Sequence, residues 1–450
     1  VSTESQEHRL EFFDQTAFEL MRATGRGQLM QCVWVYEHAV DFEGLRRFHR
    51  NIADSLGGRR IERSPLPFGR PRWVQPVQAP SEIQINETPR PRDELMDWAD
   101  ELATLPIDPE HGPTWYLVVQ PLTDGSTAIS MVASHVIGDG TAAGLAIFEA
   151  VTGNVRDGGY DRPDSRPRRQ ALAADARQVL RDLPQTRRAL ATGAKLVWSK
   201  RRDFARSRKA RLRGESLDEI VHVPSVAAFV DIDEWDARAE SLGGNSYSLL
   251  VGVTAKLAER LGRRRKSDGA VTLVIAINLR ESLEDDRALA MAFANATVDP
   301  EKVTVDLTES RAVVRESRQL AKDQTDPAME LFPLMPWLPK AAVKGVAELL
   351  FSYSEDLPVS CSNLGDLPPQ IAQVDGTTAE EVVLRALDQN VTRREIERSH
   401  GQLVVVSARL NGKVVISVEA YEIGAENTKQ RLRELAEATL TEFGLTSVIE

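Results

Sequence analysis

The chain has 450 residues, 42% of them hydrophobic, and a formal net charge of -11. That length implies two or three domains with sizeable cores, and the acidic balance argues against nonspecific nucleic-acid binding. Two cysteines, Cys32 and Cys361, argue against a disulfide framework and fit a reducing compartment.

Residues 1–8 are polar and acidic, without the basic and apolar regions of a signal peptide. No apolar run reaches the roughly 18 residues a membrane span needs. Residues 331–351 come nearest, and Pro333, Pro336, Pro339 and Lys340 interrupt them. The expected location is cytoplasmic, with peripheral membrane contact left open.

In chain order, residues 10–23 have the spacing of an amphipathic helix. Residues 31–37 alternate like a strand, and 42–55 return to helical spacing. Residues 115–121 and 127–133 flank the turn Thr123-Asp124-Gly125 as a hairpin. Its second strand runs straight into Ser134-His135-Val136-Ile137-Gly138-Asp139-Gly140, and a helix is predicted over 141–151. Residues 154–168, rich in Gly, Pro, Asp and Arg, read as a loop. Between Arg166 and Arg213 sixteen Lys or Arg face three Asp, a local charge of +13, so the rest of the chain must carry -24. Leu180, Leu183, Leu190, Ala194, Val197 and Trp198 recur there at roughly helical spacing. Two readings stand: a solvated helical crossover, or a docking patch for an acidic carrier protein, CoA phosphates or a membrane surface.

The second half repeats the mixture. Strands are predicted at 226–232, 271–277 and 358–363, and helices at 246–263 (with Asn245 as N-cap), 307–322 and 426–443. Residues 403–410 and 413–420 flank Asn411-Gly412 as a hairpin. Each half mixes helices with strands and carries a hairpin. That predicts an α/β (α+β) protein of pseudo-duplicated design, although no repeat is visible at the level of residue identity.

His135 sits where a buried strand turns sharply through Gly-Asp-Gly. Gly138 and Gly140 permit positive φ or close backbone approach there. Imidazole suits proton removal from a hydroxyl or amine near neutral pH. On spacing alone, however, His135 reads equally well as a satisfied buried histidine and Asp139 as a helix cap. Two later segments bear on this. Residues 274–280 form a strand ending in Asn278-Leu279-Arg280, followed by Asn295. Residues 359–365 form a strand ending in Ser362-Asn363-Leu364-Gly365.

In order and spacing, these three segments resemble the acyltransferases related to chloramphenicol acetyltransferase. Within that superfamily the chain looks most like bacterial wax ester synthase/diacylglycerol acyltransferases and the acyltransferases that finish polyketide lipids. The resemblance runs along nearly the whole chain. It implies two chloramphenicol acetyltransferase-like mixed-sheet domains forming a cleft or tunnel: residues 1–165 with the HxxxDG loop, a basic helical crossover over 166–215, and residues 216–450. It implies His135 as general base and Asp139 as a structural ion-pair partner of Arg280. Asn363, Ser362 and Gly140 become cleft or oxyanion candidates, with Asn278 and Asn295 as supporting motif positions. The implied reaction transfers an acyl group from acyl-CoA or a phosphopantetheinyl carrier thioester to a hydroxyl or, less favoured, an amine acceptor. No permanently bound cofactor is implied. Condensation by a carrier-protein-dependent enzyme, and non-catalytic binding on the same fold, are the alternatives. The chain departs from the pattern at Ser134, where many lipid-acylating relatives have a first histidine. It departs again at Ser-Asn-Leu-Gly-Asp, where Gly is often followed by Pro.

Cys361 lies in an apolar strand, where a cysteine behaves as a small hydrophobe rather than a nucleophile. The histidines at 8, 38, 49, 111, 222 and 400 show no metal-ligand spacing, so no metal is expected. The apolar, proline-broken run from Leu331 to Pro339 reads as core packing or as a wall of a lipophilic acyl channel.

Overall fold

The computed structural model describes residues 8–75, 81–207, 219–323, 329–340, 342–343 and 356–450. Helix α1 (Phe12–Thr24) leads into strand β1 (Gly27–Tyr36), α2 (Phe42–Asp54), the short strands β2 (Arg60–Glu62), β3 (Arg72–Val74) and β4 (Gln84–Ile85), and α3 (Leu95–Leu102). The hairpin β5 (Trp115–Pro121) and β6 (Thr127–Ser134) follows, then α4 (Gly140–Thr152) and the long helix α5 (Arg168–Ser207). The second half contains β7 (Ser225–Asp231), α6 (Ile232–Ser241), α7 (Ser246–Arg260), β8 (Val271–Asn278), β9 (Met291–Val298) and α8 (Thr308–Asp323). It continues with β10 (Val359–Asp366), β11 (Glu381–Gln389), α9 (Arg393–Arg398), β12 (Gln402–Leu410), β13 (Lys413–Tyr421), α10 (Lys429–Glu442) and β14 (Ser447–Ile449).

Two mixed sheets organise these elements. The first has the order β11-β1-β6-β5-β4 and the second β14-β7-β13-β12-β10-β8-β9. β1 is buried on both faces, and its period-two alternation divides it between two cores. Cys32, Trp34 and Tyr36 pack under α2 and α4 with Phe48, Ile52 and Ile147. Leu29, Val33 and Val35 face the other way, toward Ala227, Phe229 and Val415 of the second sheet. The second sheet buries Val414, Ile416 and Val418 against α7 and α10. The sheets therefore share an apolar layer, each with its own helices outside. Asn245 caps α7 as predicted, in a capping box with Ser248.

The first sheet also borrows a strand from the second half. β11, from the C-terminal half of the sequence, pairs antiparallel with β1 from Gly27↔Gln389 to Val35↔Glu381. The division into 1–165 and 216–450 does not anticipate this. The chain that delivers β11 is stitched to the first lobe, with Trp34 Nε1 donating to the Ile371 carbonyl at 2.7 Å and the Asp41 amide to Asp375 Oδ2 at 3.0 Å. Buried Arg385 of β11 binds Asp100 at 2.7 Å, and Asp100 also meets His222 at 3.1 Å and Lys429 at 2.6 Å. Burial alone would raise the Asp100 pKa. The hydrogen bond to His222 and the Arg385 and Lys429 charges outweigh it and hold this carboxyl below the usual range.

The basic segment is helical from Arg168 to Ser207, and residues 208–213 of the expected basic stretch lie outside the described residues. The apolar run forms 3-10 turns over Met329–Trp337, against α1 and α5. Phe332 stacks on Phe13 at 5.4 Å and Trp337 on Phe68 at 4.7 Å.

Candidate active site

β6 ends at Ser134, whose hydroxyl accepts the Val136 amide at 3.3 Å and starts a single 3-10 turn, His135–Ile137. Gly138 is extended, with φ 179° and ψ 152°. Positive φ is therefore not what requires glycine here. Space is: a Cβ on Gly138 would lie 3.1 Å from the Ala142 Cβ, and one on Gly140 would lie 2.6 Å from Cδ2 of Leu364 at the end of β10.

Asp139 does two jobs at once. As N-cap of α4 it accepts the Ala142 amide at 2.9 Å. It also receives Arg280 Nη1 on both oxygens, at 2.8 and 2.7 Å, and the Ala290 amide at 2.9 Å. Its own amide donates to the Ala288 carbonyl at 2.9 Å. Arg280 extends the hold, with Nη2 on the carbonyls of Arg287 at 2.6 Å and Ala288 at 3.1 Å. Both side chains of the pair are 3% exposed. Asn278 serves this arrangement by accepting the Arg280 amide at 3.0 Å. The helix-cap and ion-pair readings of Asp139 are thus both true, and the pair ties the first lobe to residues 280–290 of the second.

A further hold went unnoticed in the sequence. Buried Arg59 donates from Nε and Nη2 to the Ile137 carbonyl at 3.0 and 2.8 Å, and from Nη1 to the Asp286 carbonyl at 2.7 Å and to Tyr160 at 3.1 Å. Its guanidinium lies 4.6 Å over Trp73. Asp14 of α1, also buried, accepts the Leu289 amide at 3.0 Å. Burial pushes the Asp14 carboxyl up to about 7 against the pull of Arg59. The Glu11–Asp14 capping box that starts α1 was readable as a local pattern, but its reach to Leu289 was not. Arg59, in Gly57-Gly58-Arg59-Arg60, carried no signal at all.

His135 is half-buried at the loop's apex. Burial lowers its pKa below the ordinary 6.5. The Asp139 and Asp388 charges act in the opposite sense. With burial dominant and its pKa below 6.5, the imidazole is neutral near pH 7, the protonation state a general base requires. Leu364 against Gly140 brings the end of β10, and hence Asn363, beside this loop. The strand reaches it by diverging. β10 pairs with β8 only over Val359–Cys361, while it stays paired with β12. Asn363 Oδ1 is taken by the Gly365 amide at 2.8 Å, which leaves its NH2 group as the donor. Ser362 is half-buried beside it. Asn295 lies on β9 opposite Val274, and among the described residues its side chain makes no hydrogen bond to the loop. The Cys361 thiol is fully buried, and burial pushes it up to about 12, which rules it out as a thiolate nucleophile. A cavity of about 650 Å3 opens between α7 and α8, lined by Tyr247, Arg311 and Arg318 among others, but none of the site residues above lines it. The chemistry is therefore argued from the loop.

No protein-family model matches the chain, and no curated protein matches it in sequence. Solved structures do share its fold. The first condensation domain of the calcium-dependent antibiotic synthetase, in complex with a substrate analogue, superposes with TM-score 0.57 at 13% identity over 97% of each chain. The wax ester synthase/diacylglycerol acyltransferase from Marinobacter aquaeolei VT8 gives 0.54 at 15% identity, over 97% of this chain and 98% of that one. The starter condensation domain of rhizomide synthetase, in complex with C8-CoA, gives 0.52 at 11% over 98% and 95%. The chain therefore has the two-lobed fold of condensation domains and of this wax ester synthase, end to end.

Proposed function

We propose that this protein transfers an acyl group from a thioester, acyl-CoA or acyl-carrier protein, to the hydroxyl of a lipophilic acceptor, with His135 as general base. The observation that carries the reading is the half-buried His135 on a loop that Asp139 and Arg280 lock across the two lobes, with burial favouring its neutral form. The neutral imidazole takes the acceptor's proton as its oxygen attacks the thioester carbonyl. The tetrahedral intermediate then collapses, the carbon–sulfur bond breaks, and the leaving thiolate recovers the proton from the imidazolium. No enzyme nucleophile is needed, in keeping with the inert Cys361 thiol. The NH2 group of Asn363 is the side-chain candidate to face the oxyanion.

A second reading, carrier-dependent condensation forming an amide or ester, is favoured by the condensation domains among the structures of like fold. One experiment separates the two. Free-thiol release is followed from a panel of acyl-CoAs and carrier-bound thioesters, with alcohol and amine acceptors. Release from acyl-CoA that needs both an alcohol and His135 supports the first reading. Release only from the carrier-bound donor supports the second. No release from any donor overturns both and leaves a binding role on the same fold, whereas full release by His135→Ala overturns the role of His135 as general base.

A further inference from the structure

The two faces of the second sheet are covered differently. On β8, Leu273, Ile275 and Ile277 are buried in the core with α7. The alternate residues Val274 and Ala276, on the opposite face, are only half-buried. β9 continues that face: Phe293 lies opposite Ala276 and Asn295 opposite Val274, and both are exposed. On β10, Ser360 pairs with Val274, so Ser360 and Ser362 share the same face, and both are half-buried. The first sheet accounts for the difference. It lies over β7 and β13, through Ala227, Phe229 and Val415, and stops short of the far edge, where β8 and β9 lie. The uncovered half is an uncharged floor: no side chain on this face of β8 or β9 is ionisable.

Helix α1 roofs this floor. Phe13 meets Phe293 edge-on, with ring centroids 6.3 Å apart, and stacks on Phe332 of the proline-broken run. Phe293 is nevertheless 40% exposed. Because floor and roof touch there, the gap beside Phe293 has side-chain width. It admits an alkyl chain and not a helix about 10–12 Å across. The floor also runs up to the His135 loop. Phe293 stands three residues after Ala290, whose amide binds Asp139, and Phe13 precedes Asp14, which takes the Leu289 amide. Ser362 is the neighbour of Asn363. With the acyl carbonyl oxygen facing Asn363, the chain on that carbonyl starts where the floor starts. The acceptor oxygen approaches instead from His135.

We propose that this floor, roofed by Phe13 and Phe332, holds the acyl chain of the thioester donor, and that Phe293 sets the chain length it accepts. The identity of the chain rests on the acyl-transfer reading.

S-alkyl pantetheine thioethers, which bind without turning over, test it on the full chain, with two-, eight- and fourteen-carbon chains titrated by calorimetry. Affinity should rise with length, by up to roughly fourfold per buried methylene. Phe293→Gln should flatten that rise, so that the fourteen-carbon chain loses about tenfold while the two-carbon chain is unchanged. Ala276→Leu, which fills the floor beside Phe293, should also cost the long chain at least about tenfold and spare the short one. Both positions are partly exposed, so the unfolding midpoint should hold. A shifted midpoint in one variant leaves the other, and the length series on wild type, to decide. Affinity independent of chain length, a length dependence unchanged in both variants, or the same dependence shown by free long-chain alcohols and not by the thioethers would each overturn the proposal. Thiol release without length-dependent binding defeats this proposal alone. Length-dependent binding without thiol release from any donor defeats the acyl-transfer reading and leaves the floor as a binding site for the chain.

Discussion

Arginine does opposite work in two regions of this molecule. At the His135 loop, Arg280 and Arg59 are buried and spend their donors on Asp139 and on the carbonyls of Ile137, Asp286, Arg287 and Ala288. On α5, Arg177, Arg181, Arg187 and Arg188 stand in solvent without ion pairs among the described residues. The first set fixes geometry and the second sets surface potential. The side chain is the same in both. What differs is how many backbone carbonyls and carboxylates the fold brings within reach.

The sharpest way to break that contrast is Asp139→Ala. It leaves Arg280 buried and unpaired, which should cost roughly 3–5 kcal/mol. Urea unfolding measures the loss, and the double variant with Arg280→Met should recover much of it. No recovery would mean that Asp139 acts through the helix cap rather than the pair. Next, His135→Ala should lower turnover by roughly 10²–10⁴-fold at an unchanged unfolding midpoint. In wild type the acid limb of the rate profile should be centred below 6.5, because the imidazole must be neutral to act and burial has lowered its pKa. A limb centred above 6.5 would contradict this.

Asp14 tests the same region by stability. Its folded pKa, about 7, lies above the 3.8 of the unfolded chain. Between those values the native state keeps a proton that the unfolded chain has lost, so this group's contribution to stability falls as pH rises from 3.8 and is gone above about 7. The gap corresponds to up to roughly 4 kcal/mol. Asp14→Asn should therefore gain on wild type in urea midpoint as pH rises from about 4 to 7 and hold that gain above 7, and a pH-independent difference would show that the carboxyl does not titrate there. The smallest effect belongs to α5, where Arg188→Ala should stay within about 0.5 kcal/mol of wild type. A larger loss would mean that the arginine has a structural partner after all.

Much of this was legible in the sequence because it is local. The β5–β6 hairpin, the Asn411-Gly412 hairpin, the Asn245 cap and the run of α5 follow from periodicity and turn chemistry within about 20 residues. The Asp139–Arg280 pair spans 141 positions and was reached only through resemblance to a family, not through spacing. β11 was missed because its neighbour, β1, lies more than 340 positions away and a nine-residue strand announces its face but not its sheet. Arg59 and Asp14 were missed for a related reason. Their value lies in contacts with the carbonyls of residues 137 and 286 and the amide of Leu289, and backbone atoms have no sequence signature.

The borrowed strand also governs how the chain can be divided. A fragment ending before α5 would contain β1 but not β11, and so would leave a nine-residue stretch of main chain unpaired along a mostly apolar strand. Such an edge is a template for self-association. Cutting between the halves should therefore yield two pieces that are each insoluble alone yet able to reassemble when mixed, and synthesis of the first lobe must wait for residue 389 to emerge before its sheet can close.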